Sequence, residues 1–479
     1  MTQIKIDISE HPFLLAGQPQ TGKPSALTCP YDGMPVGVVH QASADDVEAA
    51  IEAAVRAFDV TRRMSGHQRA VILHKIVNGI QREAEVFAQL VALEAGKPIT
   101  QSRAEVERAI ITFTVAAEEA TRFRDEVLHL DGVPGGDGRQ GFVRRFPVGP
   151  VAAITPFNFP LNLVAHKLAP AIAAGCPIVL KPAPQTPITS LKLGSIIVDA
   201  GWPPEALSVL PLAVEDAAPL VEDERFKLLT FTGSPAVGWA MKQRAGRKRV
   251  TLELGGNAGV IIHSDADLAD AAKRCVTGGF AYAGQSCISV QRIFVQEQVY
   301  DTFIKLFAPQ VEALNVAHPL DEAADLSSLI RESDGQRVRE WLDEACAAGA
   351  EVLVGGRVEQ SVVEPTIVVN ASPELRVNCQ EIFAPVVTIE TYIDFDDALR
   401  LVNHSEYGLQ AGIFTRDIQL IFHAYETLDV GGVMVNEVPT WRSDAMPYGG
   451  VKQSGFGREG LKYAIEEMTE PKVLVLNLL

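Results

Sequence analysis

GPVAAITPFNFPLNLVAHKLAPAIAAGCPIVLKP, residues 149–182, is apolar almost from end to end, and its reading decides the fold. Its length suits a membrane-spanning helix. Five prolines (Pro150, Pro156, Pro160, Pro170 and Pro177) and the polar pair His166-Lys167 near its middle oppose that reading. The other reading is buried α/β core, with short apolar strands at VAAIT (151–155) and PIVLKP (177–182) joined by a helix. The pattern continues downstream as LSVLPL (207–212), LLTFTG (228–233) and VTLELGG (250–256), alternating with helical stretches. Such alternation implies parallel strands, because a parallel pair needs a crossover connection.

Working outward, a second series starts after Gly256: GVIIH (259–263), QRIFVQ (291–296), EVLVGG (351–356), VVTIETY (386–392), AGIFT (411–415) and GGVMVN (431–436). Upstream, residues 44–63 place Val47, Ile51, Ala54, Val55 and Phe58 at helical spacing, with Ser43 as the N-cap, and amphipathic helices follow to about Phe123. Then EVLHLD, the Gly-rich turn GVPGGDG and GFVRRFPV read as an inserted hairpin. The last nine residues, PKVLVLNLL, read as a strand without an obvious neighbour. With the hairpin it suggests edge pairing, and a second copy of the chain is the simplest partner.

Composition narrows the function. A chain of 479 residues, 47% apolar, is long enough for two or three cored domains. Sixty acidic residues against 42 basic ones leave a net charge of −18, which disfavours nucleic acid and anionic membranes as partners. Six scattered cysteines (Cys29, Cys176, Cys275, Cys287, Cys346, Cys379) without a C-x-x-C pair suggest reduced thiols, a cytoplasmic location and no metal site. The N-terminus shows no export signal. One motif misleads: Gly455-Phe-Gly457-Arg-Glu-Gly460 fits G-x-G-x-x-G, but a polar loop leads into it where a dinucleotide fingerprint needs a strand.

Cys287 lies in AYAGQSCISVQ (281–291), after a glycine turn and before a strand. Alone, such a cysteine reads as a small core residue. Its company says more: TPFNFPLN (155–162), LKP (180–182), FTGSPAVG (231–238), LELGGN (252–257), GQSC (284–287), EIFAPV (381–386) and PYGGVKQSGFGREG (447–460) follow in this order. Together these seven motifs resemble the aldehyde dehydrogenase superfamily over nearly the whole chain. The resemblance implies a Rossmann-like cofactor domain (1–121 and 145–254), an α/β catalytic domain (255–450) and a small β oligomerisation arm (122–144 and 465–479), in a homodimer or homotetramer.

It also implies a mechanism. An aldehyde releases hydride only once a nucleophile has made its carbon tetrahedral, and a thiolate does this. Cys287 would attack, the Asn158 side chain and the Cys287 backbone N–H would hold the oxyanion, and Glu253 would activate water to hydrolyse the thioester. Glu253 precedes Cys287 by 34 residues, as the family pattern expects. For an NADP or NAD cofactor, the resemblance points to Lys181 at the adenosine ribose and Glu381 at the nicotinamide ribose. It places Phe383 beside the nicotinamide, with Thr155 and Phe157 on the same side, and assigns Gly233, Ser234 and Gly238 to a helix start facing the pyrophosphate. Where many NAD-using relatives have a ribose-binding glutamate, this chain has Pro184, so NADP should be tolerated.

For the substrate, the resemblance places Phe159, Leu163, His166, Ser286, Ile288 and Trp441 around a tunnel for small aldehydes. The loop NEVPTWRSDAMPYGG is similar to the branch of lactaldehyde, phosphonoacetaldehyde and plant semialdehyde dehydrogenases. Phe159 and Ser286 stand where some phosphonate users carry histidine and arginine, which removes anion-binding groups. Arg103 and Arg442 remain as carboxylate clamps for a substrate such as succinate semialdehyde. Lactaldehyde is the other leading candidate, with phosphonoacetaldehyde and glyceraldehyde-type aldehydes behind. Two rival readings stay open: a catalytically silent scaffold of the same fold, and a cysteine hydrolase pairing Cys287 with a histidine.

Overall fold

A computed structural model describes residues 9–123 and 125–478. The opening stretch resolves into strand Val151–Ile154, helix Asn162–Ala174 and strand Ile178–Lys181. Every residue of that helix is buried. It packs against helices Gly66–Arg82, Ile99–Glu119 and Leu461–Glu467. Apolarity on all sides therefore reflects a helix enclosed by protein. Among the described residues, no helix is long and apolar enough to cross a membrane.

The two strands belong to an eight-stranded sheet. Its order is Gly455–Phe456, Arg249–Glu253, Leu228–Thr232, Val151–Ile154, Ile178–Lys181, Leu207–Val209, Phe13–Leu15 and Gln18–Gln20. The five central strands run parallel, and the outer ones are antiparallel. Helices Asn162–Ala174, Pro187–Asp199 and Pro235–Arg244 make the crossovers that parallel pairing demands. Upstream, helix Ala44–Thr61 starts at Ser43, whose side chain accepts from the Asp46 N–H in a reciprocal capping box.

A seven-stranded sheet carries the second series, in the order Glu351–Val354, Thr366–Val369, Val386–Tyr392, Val290–Gln296, Ala258–Ile262, Gln410–Phe414 and Gly432–Val435. Its strands are parallel except for the first. Strand Thr366–Val369 escaped the sequence reading.

The hairpin forms as expected, Glu126–His129 antiparallel to Arg139–Pro147. The terminal strand is not left without a neighbour. Thr469–Asn477 pairs along its whole length with Arg139–Pro147, from Thr469 opposite Pro147 to Asn477 opposite Arg139. Its outer edge stays free, and Val473, Leu474 and Val475 are exposed. The hairpin strand reaches Pro147, and helix Leu461–Glu467 packs on the buried helix of the first unit. The three-stranded arm thus takes up Thr469–Asn477 from the C-terminal segment.

The misleading glycine motif is an edge strand and a helix start: Gly455 and Phe456 pair antiparallel with Glu253 and Leu252, and Gly460 caps helix Leu461–Glu467.

The turn ahead of Cys287 is conformationally demanding. Tyr282, Ala283 and Gly284 all have positive φ, at 49°, 50° and 69°. Tyr282 is held there by hydrogen bonds, its N–H donating to Gln101 Oε1 at 2.7 Å and its hydroxyl to the Ala95 carbonyl at 2.9 Å. A Cβ on Gly284 would sit 2.1 Å from the Ala384 carbonyl oxygen. We expect Gly284→Ala to lower the thermal midpoint in scanning fluorimetry by the equivalent of about 1–3 kcal/mol or more, and to abolish activity by moving Cys287.

Candidate active site

Glu253 ends its strand opposite Thr232, and the Gly233 N–H donates to its carbonyl at 3.0 Å. Beyond it the chain turns through Gly255-Gly256 and passes so close to Cys287 that a Cβ on Gly256 would lie 2.0 Å from the Cys287 carbonyl oxygen. Asn158 lies in the loop that leads from strand Val151–Ile154 into the buried helix. One cavity of about 570 Å³ is lined by all three residues, and Cys287 opens into it between the two larger sheets.

The electrostatics separate these groups. Both Glu253 carboxylate oxygens are buried without a hydrogen-bond partner. Burial, and next the charge of Glu459, push the Glu253 carboxyl well above its usual range, against Arg442, Lys167 and Arg458. Glu459 is also buried, but the cations Lys167, His166 and Arg442 outweigh burial and hold it ionised, with Lys167 Nζ at 3.1 Å. Lys167 also donates to Thr230 Oγ1 at 2.9 Å. Burial pushes the Cys287 thiol up to about 12; a hydrogen bond from Tyr448 and the charge of Arg442 oppose this, while Glu381 and Glu253 add to it.

Asn158 donates one amide N–H to the Gln285 carbonyl at 3.0 Å, which fixes the side chain and leaves its second N–H. The Cys287 backbone N–H makes no hydrogen bond to another described residue. Both N–H groups are thus uncommitted among the described residues, on two residues that line the same cavity.

Of the residues expected around the cofactor, Phe157, Gly233, Ser234, Glu381 and Phe383 line the cavity. Helix Pro235–Arg244 starts there, and its N-cap Ser234 makes no side-chain cap. Its first amides are therefore open to an anion. Gly233 and Gly238 do not contribute theirs: Gly233 N–H pairs with Glu253, and Gly238 N–H donates to the Ser234 carbonyl at 3.0 Å. Glu381 accepts from the Gly256 N–H at 2.9 Å, and burial pushes its carboxyl up to about 7. Phe157 and Phe383 meet edge to face, with centroids 6.0 Å apart. An open helix start, a carboxylate and an aromatic wall fit a dinucleotide. Lys181 and Thr155 sit outside this cavity, and the Thr155 N–H bonds the Lys181 carbonyl at 3.1 Å.

Of the residues expected around the substrate, Phe159, Leu163, Ser286, Ile288 and Arg442 line the cavity. Three expected residues, Arg103, Trp441 and His166, do not. Arg103 lies on the surface, where Glu85 and Glu322 hold its guanidinium at 2.9 and 2.8 Å, so it has no free fork for a substrate. Trp441 is 50% exposed and outside the cavity, between Thr440 and Arg442, which line it. His166 is buried behind Arg442, with Asp444 at 3.2 Å and Arg442 at 3.3 Å from Nε2. It serves as a support for Arg442.

Sequence reasoning missed several residues. Arg108 lines the cavity without an ion-pair partner among the described residues, and burial and the charge of Arg442 lower its pKa. Lys97 lies 3.7 Å from the Phe159 ring centroid and pairs with buried Glu105. Glu105 in turn accepts from the Leu161 and Asn162 N–H groups at 2.9 and 3.0 Å. The available signal was a carboxylate on the apolar stripe of helix Ile99–Glu119. Tyr448, its hydroxyl 3.2 Å from Cys287 Sγ, sat unassigned inside a quoted motif.

Residues 18–474 match the aldehyde dehydrogenase family. The chain is 44% identical over 449 residues to a 3-sulfolactaldehyde dehydrogenase of Priestia aryabhattai, covering 94% of each protein. It superposes with a TM-score of 0.97 on aldehyde dehydrogenase 21 of Physcomitrella patens in complex with the reaction product succinate, at 44% identity and covering 98% of this chain and 99% of that one. It also superposes, at 0.91 and 39% identity, on an NADP complex of glyceraldehyde-3-phosphate dehydrogenase from Methanocaldococcus jannaschii, covering 95% and 99%.

Breaking a buried ion pair by removing one partner costs about 3–5 kcal/mol, because the other charge is left uncompensated. Lys167→Met is therefore expected to lower the thermal midpoint sharply, and Lys167→Met combined with Glu459→Gln to recover part of the loss in the same calorimetric scan.

Proposed function

The chain belongs to the aldehyde dehydrogenase family and is an NAD(P)-dependent aldehyde oxidoreductase, and we propose that it oxidises a short aldehyde with an anionic tail through a thioester on Cys287. The observation that carries the substrate class is a pair of cations. Arg108 and Arg442 both line the cavity, and among the described residues neither is held in an ion pair. They repel each other, and Arg442 Nε is buried without a partner. An anion between them would relieve both costs. The names of three similar proteins support the same reading, since succinate, sulfolactaldehyde and glyceraldehyde 3-phosphate all carry an anionic group, whereas other relatives are lactaldehyde dehydrogenases. Succinate semialdehyde and 3-sulfolactaldehyde are the substrates to test, with lactaldehyde as the neutral comparator.

In this reading the Cys287 thiolate attacks the carbonyl carbon. The free Asn158 N–H and the Cys287 backbone N–H hold the oxyanion, each such donor being worth about 10²-fold or more in rate. A nicotinamide cofactor, when bound, would supply the hydride acceptor. Ser234 and its helix start, Glu381 and Phe383 would hold that cofactor. Glu253 then takes a proton from water, which attacks the thioester and frees the acid and the thiol. The unpaired carboxylate of Glu253 suits a base, since its lone pairs are uncommitted. NADP use is supported by exposed Pro184, which offers a 2′-phosphate no repulsion. Arg331 adds a cation nearby, its Nε 3.0 Å from the neighbouring Gln185 carboxamide oxygen in the orientation that satisfies both groups.

The eight-stranded unit is assigned as cofactor domain, the seven-stranded unit as catalytic domain and the three-stranded sheet as an arm. Exposed Val473, Leu474 and Val475 on a free edge support pairing with a second copy. Six free cysteines support a cytoplasmic location, and the charge of −18 supports small-molecule partners over nucleic acid or membrane.

Glu253→Gln tests the thioester. It should keep a first-turnover burst of reduced cofactor and lose steady-state turnover by about 10²–10⁴-fold, with acylated Cys287 visible by mass spectrometry. Because burial raises the Glu253 pKa and the base form is the ionised one, wild-type deacylation should climb with pH above the ordinary carboxylate range. Loss of the burst itself would sink this assignment. Arg108→Ala should raise KM for succinate semialdehyde at least about tenfold while changing propanal little, as expected for a charge-assisted contact; equal effects on both would remove the anionic-tail reading.

A further inference from the structure

Tyr448 is buried and its hydroxyl has one partner among the described residues, the sulfur of Cys287 at 3.2 Å. A phenylalanine would fill the same space. A buried phenol ordinarily finds a use for its O–H, and here the use is a cysteine that lines the cavity.

The ring cannot easily turn away. Its backbone is pinned on both sides, Tyr448 N–H donating to the Glu459 carbonyl at 2.9 Å and Glu459 N–H to the Tyr448 carbonyl at 2.6 Å. The Arg442 guanidinium lies 3.8 Å from the ring centroid. A cation on the face of a phenol draws electron density from it and strengthens the O–H as a donor. Arg442 Nη2 lies 3.3 Å from His166 Nε2, the nitrogen that also lies 3.2 Å from Asp444 Oδ1. The guanidinium thus sits between the phenol ring and the His166 ring.

The sulfur needs such a donor. The charged and titratable groups facing it are Glu253, Glu381, Arg442 and Tyr448. Two of them are carboxylates that oppose a second negative charge, and burial opposes it further. On the favourable side stand the Arg442 charge and the Tyr448 hydrogen bond. The phenol itself is held protonated by burial and by the neighbouring thiol, so it remains a donor across the working range.

Resting on the assignment of Cys287 as nucleophile, we propose that Tyr448 is a catalytic residue: its O–H donates to the Cys287 thiolate and stabilises it, the thiol proton having gone to bulk water. No bond to the phenol oxygen forms or breaks. When the sulfur attacks the aldehyde it gives up its negative charge, and the hydrogen bond loosens.

The test is the pH dependence of Cys287 alkylation by iodoacetamide in the full-length enzyme, with the modified peptide mapped by mass spectrometry. Tyr448→Phe should move the midpoint up by about one pH unit or more, a tenfold loss of thiolate at fixed pH, and lower kcat/KM in proportion. Placing 3-fluorotyrosine at 448 keeps the ring and makes a stronger donor, so the midpoint should move down; this arm stands even where the phenylalanine variant folds poorly. A midpoint unmoved by either change overturns the role of Tyr448 while leaving Cys287 as nucleophile. Inactivation with the label on another cysteine overturns the nucleophile assignment and this inference with it.

Discussion

Two backbones approach each other at Gly256 and Cys287 more closely than any side chain would permit, and the site is organised by that contact. It ties the end of the eight-stranded sheet to the turn that opens a strand of the seven-stranded one. From the same segment the Gly256 N–H reaches Glu381, and three residues earlier Glu253 projects from its strand end. Cys287, Glu253, Glu381 and Phe383 thereby line a single cavity. Brought together from separate units, they depend on the relative placement of two sheets more than on any local fold.

Buried charge is treated differently inside and outside this site. Glu94, on a scaffolding helix, accepts from the Ile188 and Thr189 N–H groups and the Thr189 hydroxyl. Glu105 is satisfied by Lys97 and two backbone amides. Among the described residues, neither carboxylate oxygen of Glu253 has a hydrogen-bond partner, and neither does Asn158 Oδ1 or Arg442 Nε. Packing alone does not favour such vacancies, since each costs desolvation that nothing repays.

Local patterns in the sequence carried far. Apolar runs flanked by Gly and Pro located the parallel strands, Ser43 the first helix start, and ordered motifs the neighbourhood of Cys287, Glu253 and Asn158. What failed was what depends on direction in space. Arg103 and Trp441 are near the site along the chain, yet their side chains leave it, one to Glu85 and Glu322 and the other to the surface. Lys167 and Glu459 meet across 292 positions, which no spacing rule could pair. The terminal strand found its neighbour inside the chain, because strand register is a long-range property that a nine-residue apolar run does not encode.

Residues 448–459 supply the phenol against the sulfur, the edge strand beside Glu253 and the carboxylate behind it, and they follow every other part of the site in sequence. Synthesis runs in one direction, and early units fold while later ones are still being made. Cys287 and Glu253 accordingly gain two of their neighbours, Tyr448 and Glu459, only when this late segment docks on the edge of the eight-stranded sheet.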